Sequence, residues 1–187
     1  MLRIEHAHVI ERSQAARMAD LGVDVVAKPG NIVAFGRGFE DWTGDDAGLS
    51  IIPVRTMIEA GVRVSFGSDA PCASSNPFET IGAAVTRLAP DGHAVEPAEA
   101  VDARQALRCH TLNAAFAANR GADEGSIEVA KRANLVVVDQ DFLSCEPERI
   151  RETRAVMTFV DGAVVHETPD APIPAPAAAW RAAVAGG

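Results

Sequence analysis

Short apolar segments alternate with helix signals through the first half of the chain, and this alternation restricts the folds that the chain can adopt. Residues 2–7, 23–27 and 62–66 are apolar runs of strand length, and each is followed by a helix signal. Strands that alternate with helices at this spacing predict right-handed βαβ units and a parallel sheet. The sheet could be open or could form part of a barrel. The chain length fits one domain, or one domain with an appendage.

Capping residues predict where the helices begin. Ser13 fits the N-cap of a first helix over residues 13–21, and a second helix near residues 51–60 follows a long glycine-rich loop. Asn76 followed by Pro77 predicts the start of a third helix, because proline is favoured at the first helical position.

The second half of the chain has a different pattern. Asp102 and Gln105 match a capping box, which predicts a helical stretch that runs to a stop at Gly121. Beyond it, strands are expected at 135–138, 155–160 and 163–166, the last two joined by the hairpin dipeptide Asp161-Gly162. Residues 169–187 begin with a proline-rich stretch without a core pattern, so an extended or disordered tail is expected.

Charge and cysteine usage exclude several classes of function. The formal net charge of -9 repels phosphate backbones, so nucleic acid is not an expected partner. The three cysteines are far apart and form no CxxC pair, which argues against a disulfide framework and predicts a reducing cytoplasm. No apolar run reaches the roughly 18 residues of a membrane helix, so no membrane association is expected.

Polar side chains follow each of the three predicted parallel strands. The carboxyl ends of parallel strands meet at one edge of a sheet, where catalytic groups gather. Six such side chains are present, and four of them can bind a divalent metal or move a proton at neutral pH. The six are His6, His8, Lys28, Asn31, Ser68 and Asp69.

Each polar string also has a simpler interpretation. Alternation along a strand would turn His6 and His8 to one side, where both could bind one metal, or one could be a ligand and the other incidental. The segment that contains Ser68 and Asp69 could be a tight turn with the aspartate as a local hydrogen-bond acceptor. Trp42 could line a substrate pocket or anchor a loop, and Cys72 could be reactive or inert.

Two strings together resemble a known family. Arg3-Ile4-Glu5-His6-Ala7 and Phe66-Gly67-Ser68-Asp69-Ala70-Pro71 resemble the sixth-strand and eighth-strand signatures of the amidohydrolase superfamily, and most closely its amidohydrolase-3 group with the N-substituted formamide deformylases. The likeness continues through Asn76-Pro77-Phe78 and Gly125-Ser126-Ile127-Glu128, and it covers roughly residues 2–167.

This resemblance implies a metal-dependent α/β hydrolase with a (β/α)8 TIM barrel and a small β-sandwich, which acts on carbon-nitrogen bonds of small-molecule amides. His6 matches a metal ligand, and Asp69 matches the aspartate that contacts the metal and moves a proton. The metal is expected to be a divalent ion, Zn²⁺ by preference, which activates water. His8 matches no family ligand, which favours a structural or a substrate-facing role for it. His8 and Ser68 are the candidate substrate contacts.

Other family features are missing from the chain. The first-strand His-x-His, the bridging lysine and the fifth-strand histidine have no counterpart. We therefore expect residues 1–121 to be the last three βα units of a barrel, 122–168 a small β-sandwich element and 169–187 a tail. An upstream polypeptide or a second copy would complete the barrel. Unpaired sheet edges would otherwise stay exposed.

Two further functions fit the sequence less directly. The chain could be a non-catalytic remnant or an interaction module that pairs through its open sheet edges. An open-sheet binding domain has little support, because neither a Gly-x-Gly-x-x-Gly string nor a P-loop follows any strand.

Overall fold

The structure is a computed structural model that describes residues 2–44 and 48–169. Its strands are β1 (Arg3–His6), β2 (Val9–Glu11), β3 (Asp24–Ala27), β4 (Leu49–Ile51), β5 (Val64–Phe66), β6 (Leu135–Val138), β7 (Ala155–Val160) and β8 (Ala163–Glu167). Its α-helices are α1 (Arg12–Asp20), α2 (Asn31–Phe35), α3 (Gly38–Thr43), α4 (Val54–Glu59), α5 (Pro77–Thr86), α6 (Ala103–His110) and α7 (Leu112–Ala117). Short 3₁₀ helices lie at Pro97–Glu99 and Pro147–Glu152.

A parallel sheet with the order β1-β3-β5 forms the centre of the first half, as the strand-helix alternation predicts. Val25 and Ala27 of β3 and Val64 of β5 are fully buried in the main hydrophobic core. Side chains on a strand alternate between the two faces of its sheet, so these residues define the face that packs on the helices. The carboxyl ends of all three strands lie at one edge.

Some short elements of the structure were not predicted. β2 pairs with β4 in a separate antiparallel ladder, and α2 and α3 occupy the predicted glycine-rich loop. The predicted cap at Ser13 is wrong: α1 begins at Arg12, and Glu11 forms the capping box with Gln14. Serine is a stronger cap in general, but here the reciprocal Glu11–Gln14 pair satisfies the first backbone groups of the helix.

The predicted beginnings of α5 and α6 are confirmed. The Asn76 side chain accepts a hydrogen bond from Phe78 N at 3.0 Å, and Asp102 forms a full capping box with Gln105. The prediction of a continuous helix that reaches Gly121 is wrong, because the helix is interrupted at Thr111, between α6 and α7.

The break at Thr111 brings α7 against the edge of the parallel sheet. Thr111 adopts φ -117° and ψ -87°, which is not helical. Asn113 in α7 donates from Nδ2 to Val64 O at 2.8 Å, on the side of β5 that faces away from β3. The helix after the bend therefore donates a side-chain hydrogen bond to a backbone carbonyl at the edge of the sheet.

The second half ends in an antiparallel sheet with the order β6-β7-β8. Asp161 and Gly162 both have positive φ, which matches the two-residue hairpin predicted from this dipeptide. The expected tail at 169–187 lies outside the described residues from 170 onward. In the part of the chain that the structure describes, no helix is long and apolar enough to cross a bilayer.

A buried arginine fixes the segment that follows β4. Arg87 is fully buried and donates to the carbonyl oxygens of Ile51, Ile52 and Val95 at 2.7 to 2.9 Å. Burial lowers the pKa of Arg87 to about 10, so it stays protonated at neutral pH. Ile52 N in turn donates to His8 O at 2.6 Å. The arginine thus supports the backbone beside one of the predicted site residues.

Candidate metal centre

The ends of β1 and β5 bring three predicted site residues together. His6 ends β1, His8 follows it by two residues, and Asp69 lies just after β5. One ligand atom from each side chain can be chosen so that all three atoms lie within 4.8 Å of one another. Nδ1 of His6 is 3.9 Å from Oδ2 of Asp69. Imidazole nitrogen with carboxylate oxygen is a donor set that suits zinc and other divalent transition metals.

The backbone, and not strand alternation, brings His8 close to His6. The regular strand ends at His6, and His6 and Ala7 have φ values of 73° and 46°. Positive φ at non-glycine residues is uncommon and turns the chain sharply. The two rings then meet edge to face with centroids 4.9 Å apart. Strand alternation was expected to turn both imidazoles to one side. That reason is wrong, because His8 lies beyond the end of the strand.

Asp69 lies in a tight turn, as its simpler interpretation suggested, and also faces the histidines. Asp69 has φ 61°, and its backbone oxygen accepts from Cys72 N at 2.8 Å. Its carboxylate is free of this turn and accepts a hydrogen bond from Asn31. Backbone strain of this kind is concentrated at functional sites. The turn therefore aims the carboxylate into the cluster.

Asn31 connects the carboxylate with the second histidine. It is the first residue of α2 and is almost completely buried. Its Nδ2 lies 2.9 Å from Oδ2 of Asp69 and 3.1 Å from Nε2 of His8. The sequence placed Asn31 at this edge but gave it no role. No sequence motif signals the contact, since it joins three separate loops.

Lys28 lies in a second group of charges beside the cluster. Its Nζ pairs with Oε2 of Glu5 at 3.1 Å, and Oε1 of Glu5 pairs with Arg3 at 2.8 Å. A Cβ at Gly67 would lie 2.6 Å from this Nζ. The glycine that precedes Ser68 and Asp69 therefore leaves room for the ammonium group.

Electrostatics favour the neutral form of His8. Burial lowers its pKa, the neighbouring His6 lowers it further, and Asp69 acts in the opposite direction. Lys28 also contributes to the lowered pKa. Neutral imidazole is the form that can accept a hydrogen bond or bind a metal.

Aromatic rings continue from His8 toward the surface. The ring of buried Phe39 meets His8 edge to face at 5.2 Å, and it contacts Phe35 at 5.8 Å and Trp42 at 5.4 Å. Trp42 is 73% exposed. The Trp42 ring packs on Phe39 and also faces solvent. Both predicted roles of Trp42, pocket wall and loop anchor, stay predictions.

The remaining predicted residues lie near the cluster without joining it. Ser68 Oγ accepts from Ala70 N at 3.3 Å, so this hydroxyl supports the turn. Cys72 is an exposed free thiol. A substrate contact by Ser68 stays a prediction.

Comparison with known proteins identifies the family. Residues 1–166 match the model of a family described as the amidohydrolase family. The N-substituted formamide deformylase of Arthrobacter pascens is 47% identical over 168 residues, which are 89% of this chain and 31% of that protein. A 5-methylthioadenosine/S-adenosylhomocysteine deaminase of Thermoanaerobacter pseudethanolicus is 37% identical over 91 residues, 48% of this chain and 20% of its own length. The chain spans less than a third of either relative.

Solved structures show the same fold. Atrazine chlorohydrolase from Arthrobacter aurescens TC1, solved with zinc, aligns with a TM-score of 0.64 at 22% identity over 98% of this chain and 40% of that chain. An adenosine deaminase from Xanthomonas campestris with bound zinc aligns with a TM-score of 0.66 at 22% identity over 100% of this chain and 43% of that chain. The mixed α/β fold of this chain is that of metal-dependent hydrolases, and the chain belongs to the amidohydrolase family.

Proposed function

We propose that this chain supplies part of the active site of a metal-dependent hydrolase that acts on carbon-nitrogen bonds of small, non-peptide amides. The convergence of His6, His8 and Asp69 within 4.8 Å supports this proposal most directly. The name of the Arthrobacter pascens relative suggests N-substituted formamides as the substrate class.

The donor set fits a divalent metal, and zinc is the proposed ion. His6 and Asp69 would hold it, in keeping with the family resemblance, and His8 and Ser68 would contact the substrate. Side-chain exposures of 46% for His6 and 22% for Asp69 leave both groups accessible. When bound there, a divalent ion supplies Lewis acidity, which makes water a nucleophile near neutral pH and polarises a carbonyl.

Asp69 is the proposed proton carrier. Its carboxylate is oriented by Asn31 through Oδ2, and Asp69 would accept a proton from the attacking water and transfer it to the leaving nitrogen. The leaving amine then departs as a neutral molecule. A neutral His8 beside it would contact the substrate without adding a second positive charge at the cluster.

We also propose that the chain acts as part of a larger assembly. β1, β3 and β5 with their helices would be the last three βα units of a (β/α)8 barrel within residues 1–121, and 122–168 would be a small β-sandwich element. A closed barrel needs more strands than this sheet contains, and zinc sites use about three protein ligands. An upstream polypeptide or a second copy would supply the further strands and the third metal ligand. The free thiols of Cys72, Cys109 and Cys145 support a cytoplasmic location.

A second candidate function is an interaction module without catalysis. The exposed apolar side chains of Val136, Val164 and Val165 on the antiparallel sheet favour it. An isolated chain that turns over substrate with His6 and Asp69 required would exclude this alternative.

The test measures bound zinc and formate release from an N-substituted formamide. The chain is assayed alone and with any upstream polypeptide that would complete the barrel. We expect hydrolysis in the completed form, and we expect His6→Gln and Asp69→Asn to abolish it. His93→Gln is the matched control, because His93 pairs with Glu40 and, in the described part of the chain, forms no hydrogen bond or ion pair with His6, His8 or Asp69. A completed form that binds zinc but hydrolyses no amide would defeat the proposal.

A further inference from the structure

Asn31 occupies a position from which one amide group contacts both possible proton carriers of the site. Its side chain is buried at 1% exposure. Nδ2 carries two hydrogens, and its two neighbours are Oδ2 of Asp69 at 2.9 Å and Nε2 of His8 at 3.1 Å. Each distance is that of an ordinary hydrogen bond.

The carboxylate determines which way the amide group is turned. An ionised carboxylate only accepts hydrogen bonds, so the amide nitrogen, and not the amide oxygen, has to face Asp69. Turning the amide over would put two acceptors opposite each other. Nε2 of His8 therefore faces a donor and has to accept, which leaves the ring proton of a neutral His8 on Nδ1.

At the other end of the amide, no contact in the described part of the chain opposes this assignment. Oδ1 of Asn31 is buried, and no hydrogen-bond partner for it is found in the described part of the chain. A buried polar atom without a partner is rare and destabilising. The side chain is thus held in place by what Nδ2 contacts, and both of those contacts are with the site.

We infer that Asn31 assigns different roles to the two histidines: its amide keeps Nε2 of His8 as a hydrogen-bond acceptor, so that His6 and Asp69 hold the metal while His8 offers an Nδ1 proton to the substrate. The part of this inference that concerns the metal rests on the proposed function. The part that concerns the tautomer of His8 does not. Asn31 is a positioning residue, since it acts through His8 and Asp69. The chemical group that His8 would meet is the oxygen or nitrogen acceptor of an amide.

The first arm of the test needs no metal. Long-range ¹H–¹⁵N spectra of the metal-free chain report which ring nitrogen of His8 carries the proton. We expect Nδ1–H in the wild type and a shift toward Nε2–H in Asn31→Leu. The matched control is Asn113→Leu, which removes an amide that donates to Val64 O and leaves the cluster untouched. An Nε2–H tautomer in the wild type would overturn the inference.

The second arm uses zinc, titrated into the full chain and followed by chemical shifts, which detect weak binding. His8→Gln should keep the wild-type affinity within a few fold, whereas His6→Gln should lose binding. Asn31→Leu should weaken binding about 10-fold to 100-fold, the usual effect of removing a group that orients a ligand. Loss of zinc in His8→Gln equal to that in His6→Gln would overturn the inference.

The two arms separate the two proposals. A wild-type chain that shows the Nδ1–H tautomer but binds zinc no better than His6→Gln, both alone and in the form with the completed barrel, contradicts the proposed function and upholds the role of Asn31 toward His8. Zinc binding that needs His6 and Asp69 but is unchanged in Asn31→Leu, with an unchanged tautomer, upholds the proposed function and overturns the role of Asn31.

Discussion

Replacing Arg87 with methionine tests how much this buried side chain stabilises the backbone next to the candidate site. The fully buried guanidinium donates to three backbone carbonyls, those of Ile51, Ile52 and Val95. A hydrogen bond from a charged donor contributes about 1.5 to 3 kcal/mol, and removal leaves the buried carbonyls without partners. Relief of the desolvated charge offsets part of this loss. We expect Arg87→Met to lower the free energy of unfolding by about 4 kcal/mol.

Urea denaturation measures this change as a shift in the midpoint at an unchanged m-value. Arg87 has φ 57°, and arginine and methionine both carry an unbranched Cβ, so we expect equal backbone strain in the wild type and in Arg87→Met. Arg55→Met is the matched control, because Arg55 is exposed and, among residues 2–44 and 48–169, pairs with surface groups of Glu59 and Ala98. It should change stability by less than about 1 kcal/mol. A loss below about 1 kcal/mol for Arg87→Met would show that these three hydrogen bonds do not stabilise the fold.

Three smaller perturbations test other parts of the fold. At about pH 8, a thiol reagent should label Cys72 and spare Cys109, because burial raises the pKa of Cys109 to about 12; equal labelling of the folded chain would contradict this. Asp102→Ala should lower the free energy of unfolding by about 1 kcal/mol in urea through loss of the α6 cap, and an unchanged midpoint would count against the cap. Gly125→Ala should lower the melting temperature strongly, since φ is +93° and the new Cβ would lie 2.6 Å from Ala115 Cβ; a wild-type melting temperature would show that the close approach is absent.

The parallel sheet and the starts of two helices could be predicted from local patterns. The apolar runs at β1, β3 and β5 and the caps at Asn76 and Asp102 each act within a few residues of sequence. Local signals of this kind suffice because strand propensity and capping are local effects. The edge where His6 and Asp69 meet followed from the topology alone.

Other features depend on contacts that no local pattern shows. α2 and α3 are too short to be stable by propensity, and they form because Ile32 and Phe39 are buried in the core. The β2–β4 ladder needs two segments that are far apart in sequence. His8 reaches the cluster through positive φ at His6 and Ala7, which the sequence pattern does not predict.

The role of Asn31 was also beyond sequence reasoning. It becomes visible only when the loops after β1, β3 and β5 are in place, because its amide bridges a histidine and an aspartate from the two other loops. A lone asparagine after a strand is a common turn residue. Sequence chemistry thus predicts His6 and Asp69 as candidate site residues, and the contacts of Asn31 with His8 and Asp69 are visible only in the structure.

Zinc binding by the wild-type chain and by matched variants tests whether His6 and Asp69 form a metal centre. We expect zinc to shift the resonances of His6 and Asp69 in the wild type, and we expect His6→Gln and Asp69→Asn to abolish this binding. His93→Gln, which alters the ion pair with Glu40 and leaves the cluster intact, should bind zinc as the wild type does. Equal zinc binding by the wild type, His6→Gln and Asp69→Asn would contradict the assignment of a metal centre to these residues.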